Sequence, residues 1–349
     1  MSVVSARGKK LDKYIIPLMF LILLILIILA AAIGSVYVPF TDVVKIILKN
    51  IGFKGIGPVD AGQESIIFMV RLPRVIIAVL VGMALAISGA VMQGMFRNPM
   101  ADPGIIGVSS GAGLGAISAI ALGLTATSLY MMPFFASIGA FSTVAIVYFL
   151  SQKKGKVPVL TLILAGIAVG TFVSAITSLI LSFISKDEVQ QYIFWSFGSL
   201  NGKLWSDVWM VIFQIIICSI ILITFARDLN IMLLGEEEAQ SVGLNTSGIR
   251  KILLVIVSIT TASAVCIGGS ISFVGLIVPH IMRLIVGPDY RMLLPASAIG
   301  GAIFLVLCDL IGRVIIAPSE VGVGIVTSLL GAPYFLYLLI RAKKEGGAL

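Results

Sequence analysis

An all-α polytopic membrane protein with ten transmembrane helices is the fold class this sequence predicts, and three observations predict it. The 349 residues are 59% hydrophobic and 11% charged, with a mean hydropathy of +1.15. The apolar residues come in repeated runs near the roughly 20 residues needed to cross a bilayer. Lysine and arginine stand singly or in small groups at the ends of those runs, which is the positive-inside pattern. Such a chain reads as one membrane domain over residues 1–349, with no large water-facing unit.

The elements follow in order. Arg7, Lys9, Lys10 and Lys13 precede an apolar run from Ile15 to Val36. That run is longer than the apolar part of a signal peptide, so it reads as a retained first span with its N-terminus inside. Further spans fall at about 73–95, 105–124, 131–150, 157–183, 208–226, 252–267, 271–286, 293–312 and 323–340. The stretch 252–286 reads as two crossings broken at Gly268-Gly269-Ser270, because Arg250 and Lys251 before it and Arg283 and Arg291 after it belong on one side. With ten spans, sixteen lysines and arginines lie inside and eight outside, which puts both termini in the cytoplasm. Trp195, Trp205 and Trp209 precede the sixth span as an outer aromatic belt would. Pro39–Ser65, with the amphipathic-looking TDVVKIILKN, and Ser185–Asp207 are longer exterior segments able to shape an outer vestibule.

The net charge of +8 and pI near 9.4 do not make a nucleic-acid face, because the cations are dispersed along span ends. Cys218, Cys266 and Cys308 lie inside apolar runs without metal-ligand spacing and read as small buried hydrophobes. His280 in VPHIMRL is the only histidine, with no carboxylate or cysteine cluster near it in sequence, so neither a metal site nor a catalytic base is expected there. No GxxxxGK[ST] phosphate loop is present, so any ATP must be bound by another subunit.

Gly107, Gly111 and Gly115 recur every four residues in the third span, and Gly166 and Gly170 repeat the spacing in the fifth. On a helix this makes a smooth face for close packing of a neighbour. Asp309 and Arg313 are four apart and share a helix face, so they are expected to pair within the membrane. A local structural pair and a functional acid both remain readings of Asp309. Arg71 and Arg74, in RLPR, fall on the outer side against the charge bias, with Pro73 placed in the first turn of the second span. Two readings hold for them, headgroup contact or a positive outer rim that docks an acidic partner.

Ala226–Lys251 is a long polar interruption between two apolar spans. Glu236-Glu237-Glu238 suit the positive end of a short helix, Gly243 suits its left-handed C-terminus, and Asn245-Thr246-Ser247 offers a new N-cap. The stretch reads as two short helices with a glycine-broken turn, either shown to a soluble partner or serving as an ordinary solvated loop.

These motifs together resemble one family. RLPRVIIAVLVGMALAISGAVMQGMFRNPMADPGIIGVSSGAG (71–113), GGSISFVGLIVPHIMRL (268–284) and PSEVGVGIVTSLLGAPYFLYLL (318–339) resemble three signatures of the FecCD-type ABC importer permeases for iron-siderophores, haem and vitamin B12, and the likeness runs over essentially the whole chain. The resemblance implies a homodimer in a bacterial cytoplasmic membrane, two cytoplasmic ATPase subunits that bind ATP and Mg, and an extracytoplasmic substrate-binding protein. It implies no cofactor in this chain and no covalent chemistry. It makes Ala226–Lys251 the ATPase-coupling loop, with Gly235, Glu236, Ala239 and Gly243 matching the family pattern. It also matches Arg71, Arg74 and Arg313 to arginines that meet glutamates of the binding protein. Where the B12 branch carries small hydroxyl residues at a cytoplasmic gate, this chain reads Val157-Pro158-Val159-Leu160. Iron(III)-siderophore is the first substrate class expected, with haem and B12 open. An ion-coupled secondary transporter is the rival reading, and the scarcity of midplane acids counts against it. A membrane-embedded enzyme is a second rival, opposed by the lack of any convergent catalytic group.

Overall fold

The computed structural model describes residues 4–34, 36–53, 57–128, 130–152 and 157–344, and every regular element among them is helical. The side chains of Arg7, Lys9, Lys10 and Lys13 fall outside the described part. The chain opens with α1 (Val4–Ala32), α2 (Phe40–Ile51), the short α3 (Ala61–Ser65) and α4 (Leu72–Phe96). Next come α5 (Val108–Ala121), α6 (Met131–Ser151), α7 (Val159–Leu181), α8 (Lys186–Ser196) and α9 (Trp205–Thr224). Two short helices, α10 (Ala226–Met232) and α11 (Glu236–Ser241), lead to α12 (Thr246–Gly268), α13 (Val274–Val286), α14 (Tyr290–Val314) and α15 (Val323–Lys344). Seven helical stretches among the described residues are long and apolar enough to cross a membrane, and Val108–Ala121, Val274–Val286 and Val323–Leu338 are apolar but shorter.

The centre is α4. Its apolar sequence is uninterrupted, and nearly all of its side chains are buried among α12, α13, α14 and α9. Small residues permit this. A Cβ on Gly82 would lie 2.2 Å from the carbonyl oxygen of Gly301 in α14, and one on Gly89 would lie 1.9 Å from that of Gly275 in α13. At both crossings backbone meets backbone, the close approach that replaces hydrophobic driving force where lipid is the solvent.

Pro73 falls in the first turn of α4, as expected, and helical backbone also continues upstream of α4 to Ala61, making a 36-residue helical stretch. What the sequence did not announce is the π-helical segment, Ile66–Arg71, that joins the two parts. Proline lacks an N–H and crowds the carbonyl four residues back. The wider turn, in which Leu72 N–H bonds to Ile67 O, accommodates that defect without ending the helix.

The third apolar run is also shorter than expected. Pro103–Ile106 forms a 3-10 turn, Gly107 follows at φ +84°, and α5 starts only at Val108. Gly107 is therefore the break before the helix, not a member of its face, although a Cβ there would still meet Thr143 of α6 at 2.7 Å. Gly111 and Gly115 do lie on α5 against α6, where added Cβ atoms would meet Gly139 O at 2.4 Å and Phe135 O at 2.0 Å. Gly166 of α7 abuts the carbonyl of Ile105 in the 3-10 turn.

Both long connections at one end of the bundle contain helix. α2 buries Val43 and Ile46 and ends at Gly52 with φ +102°. α8 starts in a capping box in which Ser185 and Glu188 exchange side-chain and backbone bonds, and the Ser185 N–H holds the Glu188 carboxyl below its usual range. Trp205 donates its indole N–H to Phe68 O at 2.8 Å, so one of the expected belt tryptophans ties α9 to the π segment. The break expected at Gly268-Gly269-Ser270 separates α12 from α13.

Because backbone fills the α4–α13 crossing, Gly89→Val should cost on the order of 1–3 kcal/mol of stability from overpacking. A Gly52→Ala change on the exposed turn after α2 meets no atom within 4 Å and carries only backbone strain. Thermal unfolding in detergent, followed by cysteine accessibility, is expected to show the larger loss at Gly89.

Candidate functional site, a capped loop and a buried charge cluster

The two polar constellations lie at opposite ends of the bundle, separated by the length of α4 or α9. At one end, α10 and α11 fold into a compact unit. α10 buries Ala226, Leu229 and Met232 against the bundle. Asn230 fixes it further, donating to Asp289 Oδ1 at 2.6 Å and accepting from Tyr290 N–H at 3.0 Å at the start of α14. The Arg291 backbone N–H, with the Asn230 amide, keeps the Asp289 carboxyl below its ordinary range against the effect of burial.

Gly235 then turns the chain at φ +135°, a region closed to other residues, and α11 begins with Glu236, Glu237 and Glu238 in its first turn. Ala239 is the buried residue of α11. Gly243, at φ +87°, closes the helix: its N–H bonds to Gln240 O and Leu244 N–H bonds to Ala239 O, the reciprocal pair of a Schellman motif. Asn245 caps the next helix by accepting Gly248 N–H at 2.9 Å, but that helix is the long α12 itself. The two short helices therefore stand either side of Gly235, and the upstream one was not legible, because ARDLNIM carries no cap.

At the other end, Arg74, Asp309, Arg313 and Glu320 form one cluster. Arg74 donates Nε to Asp309 Oδ1 at 3.0 Å and grips Glu320 through Nη1, at 2.8 and 3.1 Å to its two oxygens. Arg313 Nε lies 3.1 Å from Asp309 Oδ2, and its Nη1 donates to Ile33 O at 3.3 Å. Asp309 is 2% exposed and stands between two guanidiniums, so the expected i,i+4 pair is half of a larger network.

Arg71 has a different task. Its Nη1 donates to Ala31 O and Ala32 O, both at 2.8 Å, and its Nη2 to Val36 O, which satisfies carbonyls left open at the end of α1. Gly34 admits the guanidinium, since a Cβ there would lie 2.7 Å from Nη2. The structure places Arg71, Arg74 and Arg313 at the same end of the bundle, largely enclosed within the chain. Their exposures are 6%, 8% and 7%, and each is committed to an internal acceptor. Glu320, at the surface of the cluster, was missed because it is distant in sequence from Arg74 and sits in no helix.

His280 makes an edge-to-face contact with Tyr334 of α15, and the three cysteines are free and buried. Among the described residues no three His, Cys, Asp or Glu side chains group as metal ligands.

The model of the FecCD transport family matches residues 22–341. The chain belongs to that family. It is 45% identical to the cobalamin import system permease protein of Halobacterium salinarum, over 79% of this chain and 73% of that one. It is 42% identical to the hemin transport system permease protein of Yersinia pestis, over 79% of this chain and 83% of that one. A solved structure described as an inward-facing ABC transporter of the metal-chelate type superposes with a TM-score of 0.83 at 32% identity, covering 94% of this chain and 99% of that one. As a FecCD permease the chain is the membrane subunit of an ABC importer, and ATP hydrolysis resides in separate partner subunits.

Breaking a buried pair by removing one partner leaves an uncompensated charge. Asp309→Asn should therefore destabilise the FecCD permease by on the order of 3–5 kcal/mol. Glu320→Gln, at a third exposed, should cost under about 1 kcal/mol. Denaturation of the two variants in detergent checks the difference.

Proposed function

We propose that the chain is a ten-span, homodimeric permease that moves a bulky metal chelate across a bacterial cytoplasmic membrane, with both termini in the cytoplasm. The supporting observation is the separately capped α10–α11 unit in a chain of the FecCD family. An ATPase subunit docks on that loop through Glu236 and the α11 surface around Gly243, while Gly235 and Ala239 set its fold. The substrate-binding protein docks at the opposite end. There an acid of that partner competes with Glu320 for Arg74, with Arg71 and Arg313 as the fixed charges behind it. Ten apolar helices in the expected order support the span count.

For the cargo, an iron(III)-siderophore is one reading, supported by the likeness to a metal-chelate transporter. The 45% and 42% matches to cobalamin and hemin permeases favour a tetrapyrrole ahead of it. Competition among cyanocobalamin, haemin and a ferric hydroxamate for uptake by cells carrying the complete importer ranks the three.

Affinity purification of the permease from its native membrane should recover a stoichiometric ATPase. Glu236→Lys and Gly243→Val should each lower cargo moved per ATP hydrolysed by about tenfold, equivalent to about 1.4 kcal/mol of coupling. Normal transport by both variants would remove the loop from the mechanism.

A further inference from the structure

The family reading assigns the loop to the ATPase but says nothing of how its displacement reaches the membrane helices. One buried side chain spans that gap. Arg250, in the second turn of α12, is 7% exposed and reaches two elements at once. Its Nη1 donates to the carbonyl of Val157 at 3.2 Å, two residues before α7 begins. Its Nη2 lies 3.5 Å from Glu236 Oε2, the first residue of α11. Its Nε is buried without a partner. Beside it is a small cavity of about 60 Å³, bordered by Arg97 at the end of α4, Val159, Met232 and Gly235. A guanidinium held by a 3.2 Å hydrogen bond and a 3.5 Å ion pair, beside a small polar-lined cavity, has room to exchange partners without unpacking the core.

The surroundings decide which way motion travels. α10 is anchored through Asn230 and buried Leu229, so it stays with the bundle. α11 is joined to its neighbours by Gly235 and Gly243, both at positive φ, and buries only Ala239. α7 is the least enclosed of the long apolar helices, with 17% of its span buried inside the chain. Arg250 thus contacts a lightly buried α11 between two positive-φ glycines and the entry of the least enclosed long apolar helix.

We propose that Arg250 is a positioning residue that transmits displacement of α11 to the entry of α7 through its shared contacts with Glu236 and Val157. This rests on the reading of α11 as the ATPase-docking element, and it names the route by which that docking acts.

The test uses the complete importer, purified with its ATPase partner, and two pairs of spin labels. Labels enter at Val242→Cys with Arg291→Cys for the loop, and at Leu160→Cys with Arg291→Cys for the α7 entry, all exposed positions, with the native cysteines buried. Distances are measured without nucleotide and with ATP and vanadate. In the parent, both pairs are expected to shift. In Arg250→Met, and independently in Arg250→Gln, the loop pair still shifts while the α7 shift is lost. If the α7 shift persists in both variants, the proposal is overturned and the ATPase-coupled permease stands. If neither pair shifts in the parent, the docking assignment falls and takes the proposal with it. Should Arg250→Met fail to assemble, Arg250→Gln decides alone.

Discussion

The architecture depends on how closely other helices approach α4. Within a bilayer, lipid tails are as apolar as leucine, so helices gain little from merely hiding apolar surface from one another. What remains is contact between well-fitted surfaces, and its strength grows as the axes come together. Gly82 against Gly301 and Gly89 against Gly275 bring α14 and α13 to α4 with backbone touching backbone. With two neighbours fixed so tightly, α4 becomes the frame against which both polar ends are positioned. Arg74 sits near its start, and Met95 and Arg97 at its far end border the cavity beside Arg250.

The charge cluster uses this frame in a second way. A lone arginine within a helical bundle is costly, and three together are tolerated only where every guanidinium finds acceptors. Asp309 serves two of them, Glu320 serves Arg74 at the surface, and the open carbonyls at the end of α1 serve Arg71. The cluster thereby joins α1, α4, α14 and the segment after α14 at one end. Glu320 is the member in contact with solvent, which makes Arg74 the charge whose partner is open to competition.

At the opposite end the problem is reversed, because a partner must be able to move something. α10 is fixed to α14 through Asn230 and Asp289, while α11 is set between two glycines whose backbone conformations other residues resist. A helix buried against the bundle and one that buries a single residue thus stand side by side within fewer than twenty residues. The same helix that follows them, α12, carries Arg250 to the base of α7.

Much of this was legible in the residues alone. Runs of apolar side chains marked, among the described residues, seven helices long enough to cross a membrane and three shorter apolar ones in order, because the length needed to cross is set by bilayer thickness and needs no knowledge of neighbours. The acids of Glu236–Glu238, Gly243 and Asn245 marked helix ends, since caps and dipoles act within a turn. The i,i+4 spacing of Asp309 and Arg313 announced their pairing for the same reason. Local signals failed where the deciding contact came from far along the chain. Pro73 marked the start of α4 but nothing local foretold the π turn upstream of it, and Gly107 looked like part of a helix face because its period matched. Whether Arg71, Arg74 and Arg313 face water or protein depended on Ala31, Glu320 and Ile33, each remote in sequence. The order of apolar runs and the capped helix ends are written in short-range chemistry. The direction in which a charge points is a property of the assembled bundle, because only there do its acceptors exist.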